Sequence, residues 1–329
     1  MKRSLLAAAL VTIGGATWAE TPTLTVYTYD SFVSDWGPGP SIEATFEESC
    51  ECNLEFVGAG DGAALLARLK LEGARTNADV VLGLDTSLTE SAKATGLFAP
   101  HNGIPDGLTL PIEWADDTFL PFDWGYFAFV YDKTKLSNAP DSFAELLEGD
   151  ATIIIQDPRS STPGLGLLLW MKEVYGEAAG EAWETLSPRI VTVTKGWSEA
   201  YGMFLEGEAD MVLSYTTSPA YHRIAEEDDT KAAAIFGEGH YMQIEVAAKL
   251  AGTDQDALAD AFLAFMASAA FQSVIPTTNW MYPAFETAGD LPEGFSETTV
   301  PEIALLIPPE DVEPIRTEAL AEWLTALSK

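Results

Sequence analysis

Short apolar, β-branched runs alternate with stretches of helical spacing along most of this chain. Residues 23–29 (TLTVYTY), 54–57 and 79–84 (DVVLGL) have the length and composition of strands. Residues 41–49, 63–72 and 87–95 read as the helices between and after them. Such alternation predicts a parallel sheet with helices on both faces. Residues 119–122 and 125–131 form an extended apolar run, broken at Asp123 and Trp124, which reads as a crossing into a second lobe. Alternation then resumes, with helices at 143–147, 165–175, 178–186 and 199–206 and strands at 153–155, 190–194 and 210–214. Residues 215–221 read as a turn, and 232–236 and 241–246 as strands that cross back. Helices at 257–266, 270–275 and 314–328 follow. The expected organisation is α/β and two-lobed: residues 20–122 with 247–329 in lobe 1, residues 123–246 in lobe 2, and a ligand cleft between.

The stretch at the centre is QDPRSSTPGLGLLLW, 156–170. It reads as a strand end, a small-residue turn and a helix start, with Pro163 suited to the first helical turn and a hydroxyl before it as cap. A helix N-terminus has free backbone N–H groups, and beside the hydroxyls of Ser161 and Thr162 it suits an anion. A capped helix with nothing bound is the plainer alternative. Turns after other predicted strands carry similar residues: Tyr29, Asp61-Gly62, Gly196-Trp197 and 215–218 (YTTS). In open parallel sheets the carboxyl ends of strands face the ligand. Asp61 suits a helix cap and Gly62 lets a ligand approach the backbone. The indole N–H of Trp197 is a donor only, which suits an anionic oxygen, with core packing as its alternative. Tyr27, Tyr29, Trp36, Tyr215, Tyr221 and Trp280 lie largely among polar loop residues and offer faces for a flat or cationic ring.

Composition narrows the compartment and the partners. Met1-Lys2-Arg3, the apolar run 5–13 and the small residues up to Ala19 form a signal sequence, residues 1–19, so the mature chain is expected to be exported and soluble. With 51 acidic against 17 basic side chains, nucleic acid and anionic membrane surfaces are poor partners. An anion site in so acidic a chain must come from backbone donors and helix ends. Export permits a disulfide between Cys50 and Cys52, the only cysteines; a metal is the alternative, but no histidine lies nearby. No G-x-S-x-G, H-E-x-x-H or S-x-x-K set places a nucleophile, which favours a binding protein over an enzyme.

Several runs carry a resemblance: LTVYTYDSF (24–32), DWGPGP (35–40), ADVVLGLD (78–85), YFAFVYDK (126–133), QDPRSSTPGLGLLLWM (156–171), VTVTKGWSEAYG (191–202), LSYTTSPAYH (213–222) and NWMYP (279–283). They resemble the periplasmic thiamine-binding proteins of bacterial thiamine ABC importers, over nearly the whole mature chain. Residues 58–60 depart from that pattern, and 289–313 resemble it weakly. The resemblance implies a type II periplasmic binding fold, each lobe a mostly parallel sheet flanked by helices. It implies thiamine, its monophosphate and its diphosphate as transported ligands rather than cofactors. It also implies an inner-membrane ABC permease with its ATPase as partner, the periplasm as compartment, a monomer, and no metal. Asp61, Gly62, Ser161, Thr162 and Trp197 would form the phosphate end; Tyr215, Thr216, Thr217 and Ser218 the pyrimidine edge. Tyr221 and Trp280 would stack on the rings, Tyr29 would be a further wall, and Cys50 and Cys52 match the family's Cys-x-Cys pair.

Overall fold

The computed structural model describes residues 21–295 and 297–328. The expected signal sequence falls outside them. The first lobe opens with β1 (Thr23–Thr28), α1 (Gly39–Cys50), β2 (Asn53–Gly58), α2 (Gly62–Glu72), β3 (Val80–Asp85) and α3 (Thr89–Lys93). Strand β4 (Leu120–Asp132) leads into α4 (Phe143–Glu148), β5 (Ile153–Gln156), α5 (Thr162–Tyr175) and α6 (Ala179–Leu186). After these come β6 (Ile190–Thr194), α7 (Trp197–Glu206), β7 (Met211–Tyr215), α8 (Pro219–Ala225) and β8 (Lys231–Ala234). The chain returns through β9 (His240–Lys249) to α9 (Asp256–Phe265), α10 (Ala269–Gln272), β10 (Tyr282–Pro283), β11 (Ala304–Leu305) and α11 (Pro309–Leu327).

One strand order runs through both lobes: β2-β1-β3-β9-β4-β7-β5-β6. Strands β2, β1 and β3 are parallel, as are β7, β5 and β6. Between these parallel blocks lie β9 and β4, antiparallel to each other and to their outer neighbours β3 and β7. All ten residues of β9 and most of β4 are buried. This explains the near-continuous apolar sequence of β4, since a strand covered on both faces needs no alternation, whereas β9 also buries His240, Gln243, Glu245 and Lys249. The expected lobe boundaries at 122/123 and 246/247 fall inside these two strands.

Two local expectations change. The predicted interruption at Asp123-Trp124 is absent, because β4 continues through it: Asp123 pairs with Glu245 of β9 and with Pro283 of β10. A buried polar residue is tolerated there because its carboxyl finds polar partners. The predicted turn 215–221 is shorter than expected, because Pro219, in the first turn of α8, starts a helix that includes Tyr221 and His222. Cys50 and Cys52 are joined in a disulfide around Glu51, which adopts the left-handed conformation at φ 52°. The C-terminal helix begins at Pro309, with Pro314 inside it. Residues 309–327 were expected with lobe 1, and α11 packs on α5 and α6 as well as on α3. Lys172 of α5 binds Glu318 and Glu322 across that contact.

Helix α5 fixes the anion-type turn against the sheet. Ten consecutive residues, Thr162 to Met171, are buried. A Cβ at Gly166 would lie 2.0 Å from Cε2 of Phe127 on β4, so only glycine permits this approach. We therefore expect Gly166→Ala to lower stability by about 1–3 kcal/mol through overpacking, outweighing the roughly 1 kcal/mol that alanine gains in a helix. Thermal unfolding followed by circular dichroism checks it; an unchanged midpoint would mean that Phe127 yields freely.

Candidate functional site

Between the two parallel blocks lies a cavity of about 510 Å³, within the range of small-molecule sites. Its floor comes from the crossing strands. Tyr29 donates its hydroxyl to Glu245 Oε2 at 2.8 Å, and Gln243 Nε2 donates to Glu245 Oε1 at 2.8 Å. Tyr215 donates to Gln243 Oε1 at 2.9 Å, and Asn279 Nδ2 donates to Asp123 Oδ2 at 2.6 Å. Burial first, then the negative charge of Asp123, pushes Glu245 well above the usual carboxylate range. Burial also pushes Asp123 up, against the hydrogen bonds from Asn279 and Glu245. Each acid thus raises the other's affinity for a proton, and the floor of the cavity is acidic, with Glu245 lining it and Asp123 beneath.

Aromatic rings make the walls. Trp36, Trp197, Tyr201, Tyr221 and Trp280 all line the cavity. Trp197 stacks on Tyr201 with centroids 5.1 Å apart, and Tyr221 meets Trp280 edge-on at 5.3 Å. Trp280 sits in the left-handed region at φ 59°, directly after the π-helical turn Ile275–Asn279. For a bulky residue that conformation is strained and must be held by its surroundings.

The third region is where helix starts from both lobes meet. Asp61 and Ser161 precede α2 and α5, yet neither side chain caps its own helix. Ser161 instead donates to Asp61 Oδ2 at 2.6 Å, and the Trp197 backbone N–H, at the start of α7, donates to the same oxygen at 3.0 Å. The Gly62 N–H donates to Thr162 Oγ1 at 3.1 Å, and the Ala64 N–H to the Ser160 carbonyl. Burial raises the Asp61 carboxyl above its ordinary value, opposed by the bonds from Ser161 and Trp197. The helix ends thus hold an anion, and in this structure that anion is a side chain of the protein. Cations play a minor part: Arg159 is paired with Asp157, and the exposed Lys195 lowers the Asp61 value only through its charge, a smaller effect than burial and the two hydrogen bonds.

Of the residues expected from sequence, Tyr29, Asp61, Gly62, Thr162, Trp197, Tyr215, Ser218, Tyr221 and Trp280 line the cavity. Ser161 lies behind Asp61, fully buried. Thr216 and Thr217 do not reach the cavity with their side chains, because both are packed inside, Thr217 with its hydroxyl 4.0 Å from Met281 Sδ. The expectation for the Trp197 indole is also corrected: its Nε1 donates to Ser214 Oγ at 2.8 Å, so its backbone N–H is what faces the anion. Sequence reasoning missed Tyr201, Asn279, Gln243 and Glu245. For the last two a signal existed: they sit two apart, on one face of an otherwise apolar strand. Among the described residues, His222, Glu226 and Asp228 bring metal-type ligand atoms within 4.8 Å of one another. There the Lys231 ammonium already sits 3.2 Å from Asp228.

Comparison with known proteins adds an independent line. Residues 39–273 match the model of the family described as bacterial extracellular solute-binding protein. The chain is 56% identical over 310 residues to the thiamine-binding periplasmic protein of Escherichia coli (strain K12), covering 94% of each chain. It is 55% identical over 309 residues to the protein of the same name from Brucella suis biovar 1, covering 93% of this chain and 92% of that one. A solved structure titled periplasmic thiamin binding protein superposes with a TM-score of 0.92 at 54% identity, covering 98% of this chain and all of that one.

The acid pair sets a pH dependence whose sign follows from its direction. Both carboxyls have folded-state values above their unfolded ones, so the folded state binds protons more tightly. Stability is therefore fullest below the unfolded carboxylate range and falls as pH rises through the raised folded values. Glu245→Gln removes one ionisation but keeps a single acceptor for Tyr29 and Gln243, so the sign of its effect is read from the slope: between pH 5 and pH 8 it should lose less melting temperature than the wild type. Calorimetric melting across that range checks this; an equal or steeper loss in the variant would reverse the assignment.

Proposed function

The chain belongs to the bacterial extracellular solute-binding protein family, and from that premise we propose that it is a periplasmic receptor for thiamine, thiamine monophosphate and thiamine diphosphate. Proteins of this family are receptors rather than enzymes. The observation that carries the ligand reading is the pairing of aromatic walls with an acidic floor in one cavity. A flat ring with a fixed positive charge, such as the thiazolium, gains from both. Each cation–π contact contributes on the order of 0.5–2 kcal/mol, and a charge beneath it acts more strongly where water is excluded. The names of the relatives point to the same ligand.

In this reading Tyr29, Tyr215, Ser218, Gln243 and Glu245 present hydrogen-bonding groups to the polar ring edge. Trp197, Tyr221 and Trp280 flank the rings. The Thr216 and Thr217 side chains hold the turn from behind. A phosphate tail reaches the ends of α5 and α7, where Ser161, Thr162, Gly62 and the Trp197 N–H become its donors once Asp61 turns aside. The ligand is cargo, so no cofactor is required. Lobe 1 (20–122 and 247–329) closes on lobe 2 (123–246) by bending in β4 and β9, with α11 strapped across both. The closed, monomeric receptor delivers its cargo to an inner-membrane ABC permease and its ATPase.

Titration of the purified mature protein by calorimetry, alongside tryptophan fluorescence, tests this. We expect one-to-one binding of thiamine and no response to spermidine; spermidine binding in place of thiamine would sink the reading. Asp61→Asn should raise affinity for the monophosphate relative to thiamine, because a carboxylate and a phosphate contest the same donors. An unchanged ratio would remove Asp61 from the phosphate end.

A further inference from the structure

The rings around the cavity form one connected arc. Trp36 tilts against Trp197 at 6.2 Å between centroids, Trp197 stacks on Tyr201, and Tyr201 stacks on His222 at 5.9 Å. His222 meets the edge of Tyr221 at 4.8 Å, and Tyr221 in turn meets Trp280. Every ring in this arc lines the cavity except His222, which lies fully buried behind the wall. Both its nitrogens are engaged. Nε2 lies 2.9 Å from the Tyr201 hydroxyl, and Nδ1 lies 2.6 Å from Glu226 Oε2. The other oxygen of Glu226 accepts the Tyr221 hydroxyl at 2.9 Å. One imidazole therefore ties two cavity tyrosines on two helices, one directly and one through a carboxylate.

We propose that His222 is a positioning residue: its Nδ1–H tautomer, fixed by Glu226, sets the spacing of Tyr201 and Tyr221 and thereby the affinity for an aromatic cation. The affinity part rests on the thiamine reading. The tautomer follows from the partners. Burial pushes the Glu226 carboxyl up, but the bonds from His222 and Tyr221 outweigh it and hold it below its ordinary value. It is therefore an acceptor, and Nδ1 must carry the proton. Burial lowers the His222 value more than Glu226 raises it, so the ring is neutral and Nε2 is left as an acceptor. The Tyr201 hydroxyl, pushed far up by burial, keeps its proton and donates it. The other tautomer would set the Nδ1 lone pair against a carboxylate oxygen at 2.6 Å.

This does more than fill space. Tyr201 stands between Trp197, whose backbone N–H faces Asp61, and His222, whose partner Glu226 holds the Tyr221 hydroxyl. A shift of the imidazole moves walls on both sides of the ligand. Simple core packing would need only a ring of the same size, and a hydrogen-bond change on Glu226, whose side chain is 42% exposed, would then leave the cavity untouched.

Glu226→Gln separates the two possibilities. Its amide keeps the volume but accepts through one oxygen only, so it cannot serve both His222 and Tyr221 in the same sense. Nitrogen-15 spectra of the ligand-free wild type should show His222 as the pure Nδ1–H tautomer, and Glu226→Gln should mix the two forms. Thiamine affinity by calorimetry should fall about fivefold in Glu226→Gln, the loss of one hydrogen bond, with little change in melting temperature. Tyr221→Phe should weaken binding too, and the double variant should be no weaker than the weaker single. A wild-type Nε2–H tautomer, an unchanged affinity in Glu226→Gln, or additive losses in the double variant would each overturn the proposal. Absence of thiamine binding by the wild type would overturn the ligand reading and the affinity role with it. The tautomer would then still decide whether the ring is held as stated.

Discussion

The antiparallel pairing of β4 with β9 is the contact on which the other features depend. These two strands join one parallel block to the other, and they are buried along nearly their whole length. They also place Asp123 opposite Glu245 at the base of the cavity. A hydrophobic pair of similar volume at that register would stabilise the sheet at least as well. The acids are thus explained by what lies above them, not by the fold. Tyr29, Gln243 and Asn279 satisfy three of their four oxygens, and Asp123 Oδ1 is left buried without a partner. The pair lies at the junction of the lobes, on the two strands that join them.

A second consequence concerns sign. A chain with 51 acidic and 17 basic side chains still builds a place for an anion, and the hydrogen bonds that hold it come from a hydroxyl and a backbone N–H, not from a lysine or arginine. Helix starts at α5 and α7 supply the donors, and Asp61 from the other lobe occupies them. Its carboxylate therefore ties the start of α2 to the starts of α5 and α7. The side chains that local sequence would assign to capping, Asp61 and Ser161, are spent on each other across the lobes. Gly62 and Thr162 add a parallel backbone-to-hydroxyl contact. The contacts between these helix starts thus draw on few groups.

Much of this was legible in the sequence. Strand positions followed from β-branched runs, and the Ser161-Thr162-Pro163 turn from its hydroxyls and proline. What was not legible shares one cause: partners distant in sequence. Asp123 looked like a strand break because its partners, Glu245 and Asn279, lie more than a hundred residues away. The indole of Trp197 looked free because Ser214 arrives from β7. Thr216 and Thr217 looked like ligand groups because a polar turn gives no sign of which face turns inward. Residues 219–221 read as the end of a turn, although Pro219 in first-turn position is a helix signal that was available.

The arrangement of donors also distinguishes among ligands that this fold can hold. A metal ion held by phenolates needs tyrosine oxygens that give up their protons. Here Tyr29 and Tyr215 are buried beside carboxyls, which raises both hydroxyls well above their ordinary value and keeps them as donors. They fix Glu245 and Gln243 instead of ionising. A flexible polyamine would find the acidic floor but leave the ring arc facing methylene groups, with no fixed charge above the aromatic faces. A flat cation meets both at once. The walls that define its plane are the ones bound to the His222–Glu226 joint. The acidic floor and the aromatic walls thus arise from different strands and helices and converge in one cavity.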